Sequence, residues 1–556
     1  MSAAASSGGE LALPAALERR RSVAFPRHEQ RVVARPLESL LLFLVGATAY
    51  AVLGASVVTS DHVVVFDALD RLTRAYMVWH NSPPKLAAVG FTFPPLSSLI
   101  FLPLAAIKPV ATSLMALPLT SAIFAGGTLV VLNRTLELCE MSALLRYPLL
   151  ALFALNPEFA FYASNGMPDT AYLFLLAAGL YCLIAWHVTE ESRYLIGAGL
   201  AFACCMLARY EFIIWALAGS CLVGAALMRR DATRARLEGS VVSYLAPIVY
   251  GLALWTVFNG IIVGQPFGWL SNGSATTLAV NSDQIAQHGS ASLTEVAHRL
   301  LQVSVGVAPL ALVAIPALVA AFLLARDVLA LSFAGFLALG LAIVGADALI
   351  NGDAAVLALN DGLPLGLTAM FGVAWLHRSR ETVRLSVWLA TLAVLAATLP
   401  LAWSAMRSYP FQNLEQAFTR AVDTGANQEG SSSIGGFSVG IEPERQMAAY
   451  INRVSGSSKH AILTDNAQTY GVILLGGRPQ IFLDRVDRGD GPWFKVRDHP
   501  YGQVNYLLMD YRAPSDLIRQ RYPQAATGGD PTLTPVFRTS RYVLLRVSPQ
   551  PLEGTP

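Results

Sequence analysis

Charge is scarce in this sequence. Asp, Glu, Lys and Arg make up 14% of its 556 residues, where soluble proteins carry roughly a quarter. That excludes an ordinary soluble globular protein of this size. The formal net charge is only +2, and the charges cluster at loops, so no surface for nucleic acid is implied. Cysteine is also scarce: Cys139, Cys182, Cys204, Cys205 and Cys221. None lies in the long polar C-terminal region, so no disulfide framework holds that region. The five read as small apolar packing residues. Residues 1–38 lack the small-residue cleavage site of a secretory signal and carry "ERRRSVAFPRHEQRVVARP" instead. No internal repeat is visible, which argues against an inverted-repeat transporter.

What the chain has is apolar length. Hydrophobic residues make up 54% of it, in runs long enough to cross a hydrocarbon core of ~30 Å. The runs predict a polytopic α-helical membrane protein with about eleven spans: 39–59, 112–133, 147–165, 171–188, 194–208, 210–228, 239–262, 300–325, 328–346, 361–376 and 385–405. The expected organisation is a basic cytoplasmic tail (1–38), a membrane domain (39–406), a linker (407–440) and an extracytoplasmic α/β domain (441–556). In the last region "HAILTDN", "PQIFLDR", "VNYLLMDY" and "LTPVFRTSRYVLLRV" read as strands, and "PERQMAAYINRV" and "SDLIRQRYP" as helices. It contains no nucleophile–base signature.

Lys and Arg beside spans stay in the cytoplasm. The basic tail and the loops "RRDATRARLEG" and "HRSRETVR" therefore put the N-terminus inside and the C-terminal domain outside. The parity holds if "FPPLSSLIFLPLAAI", Phe93 to Ile107, does not cross. Pro94, Pro95 and Pro103 make it a poor regular span, so it reads as a membrane-edge or re-entrant helix.

Ionisable residues then gather on the outer side. "SDHVVVFDALDRLTRAYMVWH" follows the first span. Asp67, Asp70, Arg71 and Arg74 have the spacing of a salt-bridged helix face. Asp61 sits at the span end, where partial desolvation makes a carboxylate a stronger base; a helix cap is its structural alternative. Asp169, after "SNGMP", heads a span and is either a cap or a carboxylate that orients a substrate or metal. Glu158 lies inside a span, a costly place, with Tyr162 as a plain local partner. Arg209, in "LARYEFIIW", suits phosphate recognition, or snorkels, or pairs with Glu211. Lys85 is a second cation of the same kind. In the polar loop Gly264 to His298, Trp269 either stacks on a sugar or anchors at the interface. His80 is a further candidate for acceptor or sugar contact. Asp347, Asp353 and Asp361 read as solvated loop charges.

Carboxylates and cations at one membrane face suit a substrate with a charged head at the interface and a tail in lipid. A polyprenyl-phosphate sugar has that form. One carboxylate would take the acceptor's proton, and cations, with or without a divalent metal, would stabilise the departing phosphate. The order "SDHVVVFDALDRL", "FTFPPLSSLIFLP", "YASNGMPDTAYLFLLAAGLY", "MLARYE" resembles the GT-C superfamily of membrane glycosyltransferases, especially protein O-mannosyltransferases and lipid A aminoarabinose transferases. The resemblance covers roughly 39–265 and, more loosely, the whole chain. It implies that Asp61 is the catalytic carboxylate, that Asp169 is the second acidic position, and that Arg209 and Lys85 lie near the donor phosphate; on the reading of the residues, Asp169 is also the ligand of any metal. Asp61-His62 stands where the family often has Asp-Glu, which leaves Asp67 as a substitute base. The expectation is a polyprenyl-phosphate-sugar-dependent hexosyl- or pentosyltransferase of a bacterial plasma membrane, with mannose and arabinofuranose both open. Its acceptor is a glycan, a lipid or a protein. The rival readings are a lipid-linked sugar transporter or flippase and a non-catalytic membrane assembly protein.

Overall fold

The computed structural model describes residues 35–90, 94–230, 232–269, 292–351, 357–410, 413–431, 439–456, 459, 461–485 and 490–548. The basic tail, Asp353, and most of the loop after Trp269 lie outside the described residues, as does the Gly/Ser stretch 432–438. The first apolar run forms α1 (Pro36–Thr59), and the amphipathic segment after it forms α2 (Phe66–His80). Prolines then cut the chain into α3 (Leu96–Leu99), α4 (Leu102–Ala105) and α5 (Lys108–Thr112). Each proline removes a backbone donor, so none of these helices exceeds five residues. The bundle continues through α6 (Ala116–Leu138), α7 (Ala143–Ala154), α8 (Pro157–Tyr162), α9 (Asp169–Thr189), α10 (Ser192–Ala208), α11 (Phe212–Met228) and α12 (Arg234–Val263). It closes with α13 (Leu293–Val307), α14 (Pro309–Ala325), α15 (Val328–Asn351), α16 (Gly362–Ser379) and α17 (Arg384–Ser408).

Among the described residues α1, α6, α9, α12, α15 and α17 are long and apolar enough to cross a membrane, while α7, α10 and α11 are apolar but shorter. Of these six, α6 and α9 are the most interior, with apolar windows 67% and 61% buried against 17% for α12, and α16 is buried along nearly its whole length. Val249, Val257, Phe258 and Ile261 on α12 are exposed. An apolar surface of that extent has lipid as its solvent. The protein is a multi-pass membrane protein.

Two expected spans are broken. The stretch 300–325 is not one helix: α13 and α14 meet at 98°. Pro309 disfavours the helical region for Ala308, which takes φ −132° and ψ 48°, and Pro309 then starts a new helix. The stretch 147–165 breaks at Leu155–Asn156. Asn156 caps α8 through its side-chain oxygen, which accepts from the N–H groups of Glu158 at 3.0 Å and Phe159 at 3.4 Å. The Asn156 amide also donates to the Val307 carbonyl at 3.3 Å. Asn156 thus serves both breaks, capping its own and satisfying a carbonyl at the other.

Arginines hold one end of the bundle together. Arg146 pairs with Glu38, Arg378 and Arg384 with Glu140, and Arg230 with Glu190. Beyond α17, α18 (Asn413–Thr424) packs back against α8 and α17. The C-terminal domain then comprises α19 (Glu442–Val454), β1 (Ile462–Thr464), α20 (Asn466–Gly476), β2 (Phe482–Leu483), α21 (Asp490–Asp498), β3 (Tyr506–Asp510), α22 (Leu517–Arg521), β4 (Leu533–Arg538) and β5 (Tyr542–Val547). Its sheet order is β2-β1-β3-β5-β4, parallel through β3 and antiparallel thereafter.

Pro36–Pro556 forms one compact unit, and α2 is the seam. Thr73 and Tyr76 donate to the carbonyls of Tyr470 (3.3 Å) and Gly477 (3.0 Å) on α20 and at its end. Inside the domain Arg541 bonds Glu444 at 3.0 Å and Asp510 at 2.7 Å, both buried, and lies over the Phe66 ring of α2. Replacing Arg541 by Ala leaves two buried carboxylates without their cation, which costs about 3 kcal/mol or more. Thermal unfolding of the Arg541→Ala protein should show a Tm several degrees lower. An unchanged Tm would mean that the clasp contributes nothing.

Candidate active site

The end of the bundle opposite the arginine cluster gathers three groups of polar residues. The first is built on Arg209, at the break between α10 and α11. Arg209 is extended (φ −146°, ψ 118°), so its side chain leaves the helical path. Its Nη2 donates to Asp361 at 3.0 Å, and its Nη1 lies 3.6 Å from Asp169. Nε lies 3.8 Å from Glu211. The guanidinium rests over the Tyr172 ring at 5.6 Å. Asn360 donates to the same Asp169 oxygen at 2.9 Å. Asp169 and Asp361 are each about nine-tenths buried. Asp361 is therefore not a solvated loop charge: its other oxygen accepts from the Ala358 N–H at 3.1 Å, closing the turn that starts α16.

A cavity of about 290 Å³ opens beside this group. Arg209, Glu211, Asp347, Asn360 and Asp361 line its polar side; Phe212, Trp215, Ile343, Val344 and Leu365 line its apolar side. Gly340 makes room for the wall, since a Cβ there would meet the Trp215 ring at 2.4 Å. Among the described residues only one Arg209 contact is within hydrogen-bonding distance. A guanidinium has five donors in a planar fork, so most remain for an anion. The site can take an amphiphile with an anionic head and an apolar tail. Behind Arg209, Tyr210 lies between Trp269, 5.3 Å away ring to ring, and Trp255, whose Nε1 donates to the Tyr210 hydroxyl at 3.1 Å. Trp269 is buried there, next to the start of the long loop.

The second group surrounds Asp61. His62 takes a left-handed turn (φ 56°) and its Nδ1 lies 2.9 Å from Glu429. The Asp61 carbonyl accepts from the Gln428 N–H at 2.8 Å. Glu429 also accepts from the N–H groups of Ile441 and Glu442 at the start of α19. The segment between the bundle and the C-terminal domain is thus clamped onto the loop that carries Asp61. Partial burial raises the Asp61 pKa, although His62 opposes the shift. That makes its carboxylate a better base when ionised.

The third group lies under the C-terminal domain. Asp70 is buried and accepts from Arg74 Nε at 3.0 Å, while Asp67 is exposed and 3.8 Å from Arg71. Burial outweighs Arg74 and raises the Asp70 pKa. His80 stacks on Tyr76 at 4.3 Å and contacts the Ala105 carbonyl at 3.1 Å. Lys85 is half-buried and precedes the turn Leu86–Val89. None of Asp61, Asp67, His80 and Lys85 lines the described cavity.

Asp169 and Arg209 are thus brought together, and Trp269 stands behind them. Asp361, Asn360 and Glu429 were not picked out as site residues by the sequence. Asp361 precedes the apolar run "GLPLGLTAMFGVAW" just as Asp169 precedes its own, and that shared signature marks both. Among the described residues no three His, Cys, Asp or Glu side chains are placed to hold a metal. Asp169 faces the Arg209 guanidinium and the Asn360 amide.

No family model matches the sequence, and no curated protein matches it either. In three dimensions the chain is similar to ArnT from Cupriavidus metallidurans, both in the apo state and bound to undecaprenyl phosphate. The identity is 14%, over 92% of this chain and 98% of that chain, at a TM-score of 0.53. Weaker likenesses are to the S. cerevisiae protein O-mannosyltransferase Pmt1-Pmt2 complex bound to the sugar donor (15% identity, 41% and 34% covered, TM-score 0.31) and to the archaeal oligosaccharyltransferase AglB from Archaeoglobus fulgidus (11%, 85% and 69%, 0.44). The architecture shared with ArnT is the GT-C membrane fold.

The Arg209 pairs make a measurable unit. Arg209→Gln leaves Asp361 and Asp169 buried without a cation and should cost about 3–5 kcal/mol. Asp361→Asn should cost less, and the double variant less than the sum, with a coupling of about 1–3 kcal/mol. Denaturation of the four proteins in detergent checks this; strict additivity would mean that the pair is not energetically coupled.

Proposed function

We propose that the protein is a glycosyltransferase that moves a sugar from a polyprenyl-phosphate donor to an acceptor hydroxyl. The observation that carries the reading is the cavity with Arg209 at its polar side and Trp215, Ile343 and Leu365 at its apolar side. ArnT, which shares the fold, binds undecaprenyl phosphate. The arginine-rich end lies in the cytoplasm by the positive-inside rule, which puts the site, α2 and the C-terminal domain on the outer face.

In this reading the donor phosphate meets the free donors of Arg209, which Asp169, Asp361 and Asn360 hold in place. Asp61 takes the proton of the acceptor hydroxyl as that oxygen bonds to the anomeric carbon. The bond from the anomeric carbon to the phosphate oxygen breaks, and the electron pair leaves with the polyprenyl phosphate. Arg209 stabilises the charge that grows on that phosphate. Asp67 is the alternative base. Lys85 and His80 act on the same face, at the donor or acceptor, and Trp269 closes the sugar side. Hexosyl and pentosyl donors, and glycan, lipid and protein acceptors, all fit these chemical requirements.

The test is sugar transfer from synthetic polyprenyl-phosphate sugars by purified wild type, Asp61→Asn and Asp67→Asn, each checked for folding and donor binding. Loss of an essential general base lowers the rate by about 10²–10⁴-fold. That loss is expected for Asp61→Asn with donor binding retained, while Asp67→Asn stays near wild type. Normal transfer by Asp61→Asn would remove it as the base, and absence of transfer from every donor would overturn the enzyme reading.

A further inference from the structure

The arginines that hold one end of the bundle meet carboxylates: Arg146 meets Glu38, Arg378 and Arg384 meet Glu140, and Arg230 meets Glu190. The cations at the edge of the seam between α2 and the C-terminal domain are placed differently. Lys459 Nζ donates to the Ser82 hydroxyl at 3.1 Å, and Arg478 donates to the Gly456 carbonyl. Lys108 lies along Gly477, where a Cβ would stand 3.9 Å from its Nζ. Among the described residues none of these three pairs with a carboxylate. The sequence leaves them none nearby. From Ala75 to Thr112 there is no Asp or Glu, and between Gln446 and Leu483 there is only Asp465. Asp465 is buried and caps the start of α20, whereas Gly477 ends that helix. Its 11 residues put about 16 Å between the two ends.

Printed contacts tie these cations into one edge. The Tyr76 hydroxyl donates to the Gly477 carbonyl at 3.0 Å, beside Lys108 and Arg478. His80, stacked on Tyr76, reaches Ala105 at the end of α4. Trp79 Nε1 donates to the Leu102 carbonyl at 2.9 Å, which fixes its ring on the proline-cut helices. Apolar side chains are exposed along the same edge: Trp79 is 49%, Leu86 64% and Ile107 50% exposed. Lys108 comes shortly before α6, at the level where the spans begin.

We propose that this edge docks the head groups of anionic phospholipids. Lys108, Lys459 and Arg478 meet the phosphates, and Trp79, Leu86 and Ile107 enter the upper acyl region. Charge complementarity names the anion. The C-terminal end of α20 offers roughly half a negative charge, against the full charges of Lys108, Lys459 and Arg478. The exposed apolar side chains name the lipid, because a soluble anion makes no use of them, whereas an interfacial surface combines basic and apolar groups in this way. None of the six residues lines the Arg209 cavity, so the surface is separate from that site and does not depend on the donor reading. Because α2 is the seam with the C-terminal domain, lipid held here ties that domain to the membrane plane.

The experiment uses the full chain in phosphatidylcholine nanodiscs that contain a small fraction of phosphatidylglycerol with a photoreactive head group. Mass spectrometry maps the labelled peptides. Labelling is expected in segments 79–108 and 459–478. Unlabelled phosphatidylglycerol should suppress it, and so should salt, which shortens the screening length to about 3 Å at 1 M. Each of Lys108→Gln and Lys459→Gln should lower it by about fivefold, the worth of one cation at an anionic surface. Arg234→Gln, on an exposed residue at the start of α12, should leave it unchanged. Tm checks the fold of each variant, and the salt series on wild type needs no variant. Equal labelling by a photoreactive phosphatidylcholine, or labelling that ignores both salt and the two lysine variants, would overturn the proposal. So would suppression by inorganic phosphate or a soluble anionic oligosaccharide as strong as that by phosphatidylglycerol, which would assign the edge to a soluble anion.

Discussion

The guanidinium of Arg209 is the charge around which this end of the molecule is arranged. It lies at the end of α10, against Asp361 at the head of α16 and Asp169 at the head of α9. Neither carboxylate would be tolerated at its depth alone, and neither helix start would be placed as it is without the common cation. The same three elements wall one cavity. The ion pair therefore does two things at once. It registers three helix ends against each other, and it presents unused N–H donors to whatever enters beside Trp215 and Leu365.

The second organising device is the meeting of two proline breaks. Helices in lipid must satisfy their own backbone, and a break exposes groups that water cannot reach. Asn156 resolves this by capping α8 on one side and bonding the Val307 carbonyl on the other. The result is a short helix, α8, with an orientation of its own. It carries Glu158 inward and Tyr162 toward Glu415. A straight span through 147–165 would have sent both along a regular helical stripe.

Composition and run length made the membrane class and most helices legible, because apolar length is a local property. The C-terminal strands were legible for the same reason: "HAILTDN" and "VNYLLMDY" are short apolar runs bounded by polar residues. Of the site, Asp169 and Arg209 stood out by their position at span ends. Their junction with Asp361 did not, since 152 residues separate Arg209 from Asp361 and nothing local marks the pairing. Asp361 looked like one more loop charge because burial is a property of the packed bundle. The bends failed for a related reason. Apolar content continues unbroken through Ala308–Pro309, and hydropathy carries no record of direction.

The clamp between His62 and Glu429 joins residues 367 positions apart. A chain made from its N-terminus has the Asp61 loop outside the translation machinery long before Glu429 exists. During synthesis the loop after α1 is therefore exposed without its strap, through the insertion of every later span. It reaches its final shape only when the segment after α18 arrives. A nascent or truncated chain that ends at α17 would have all its apolar helices and still lack the contact that fixes His62. Completion of the loop is thereby tied to the arrival of the segment that carries Glu429.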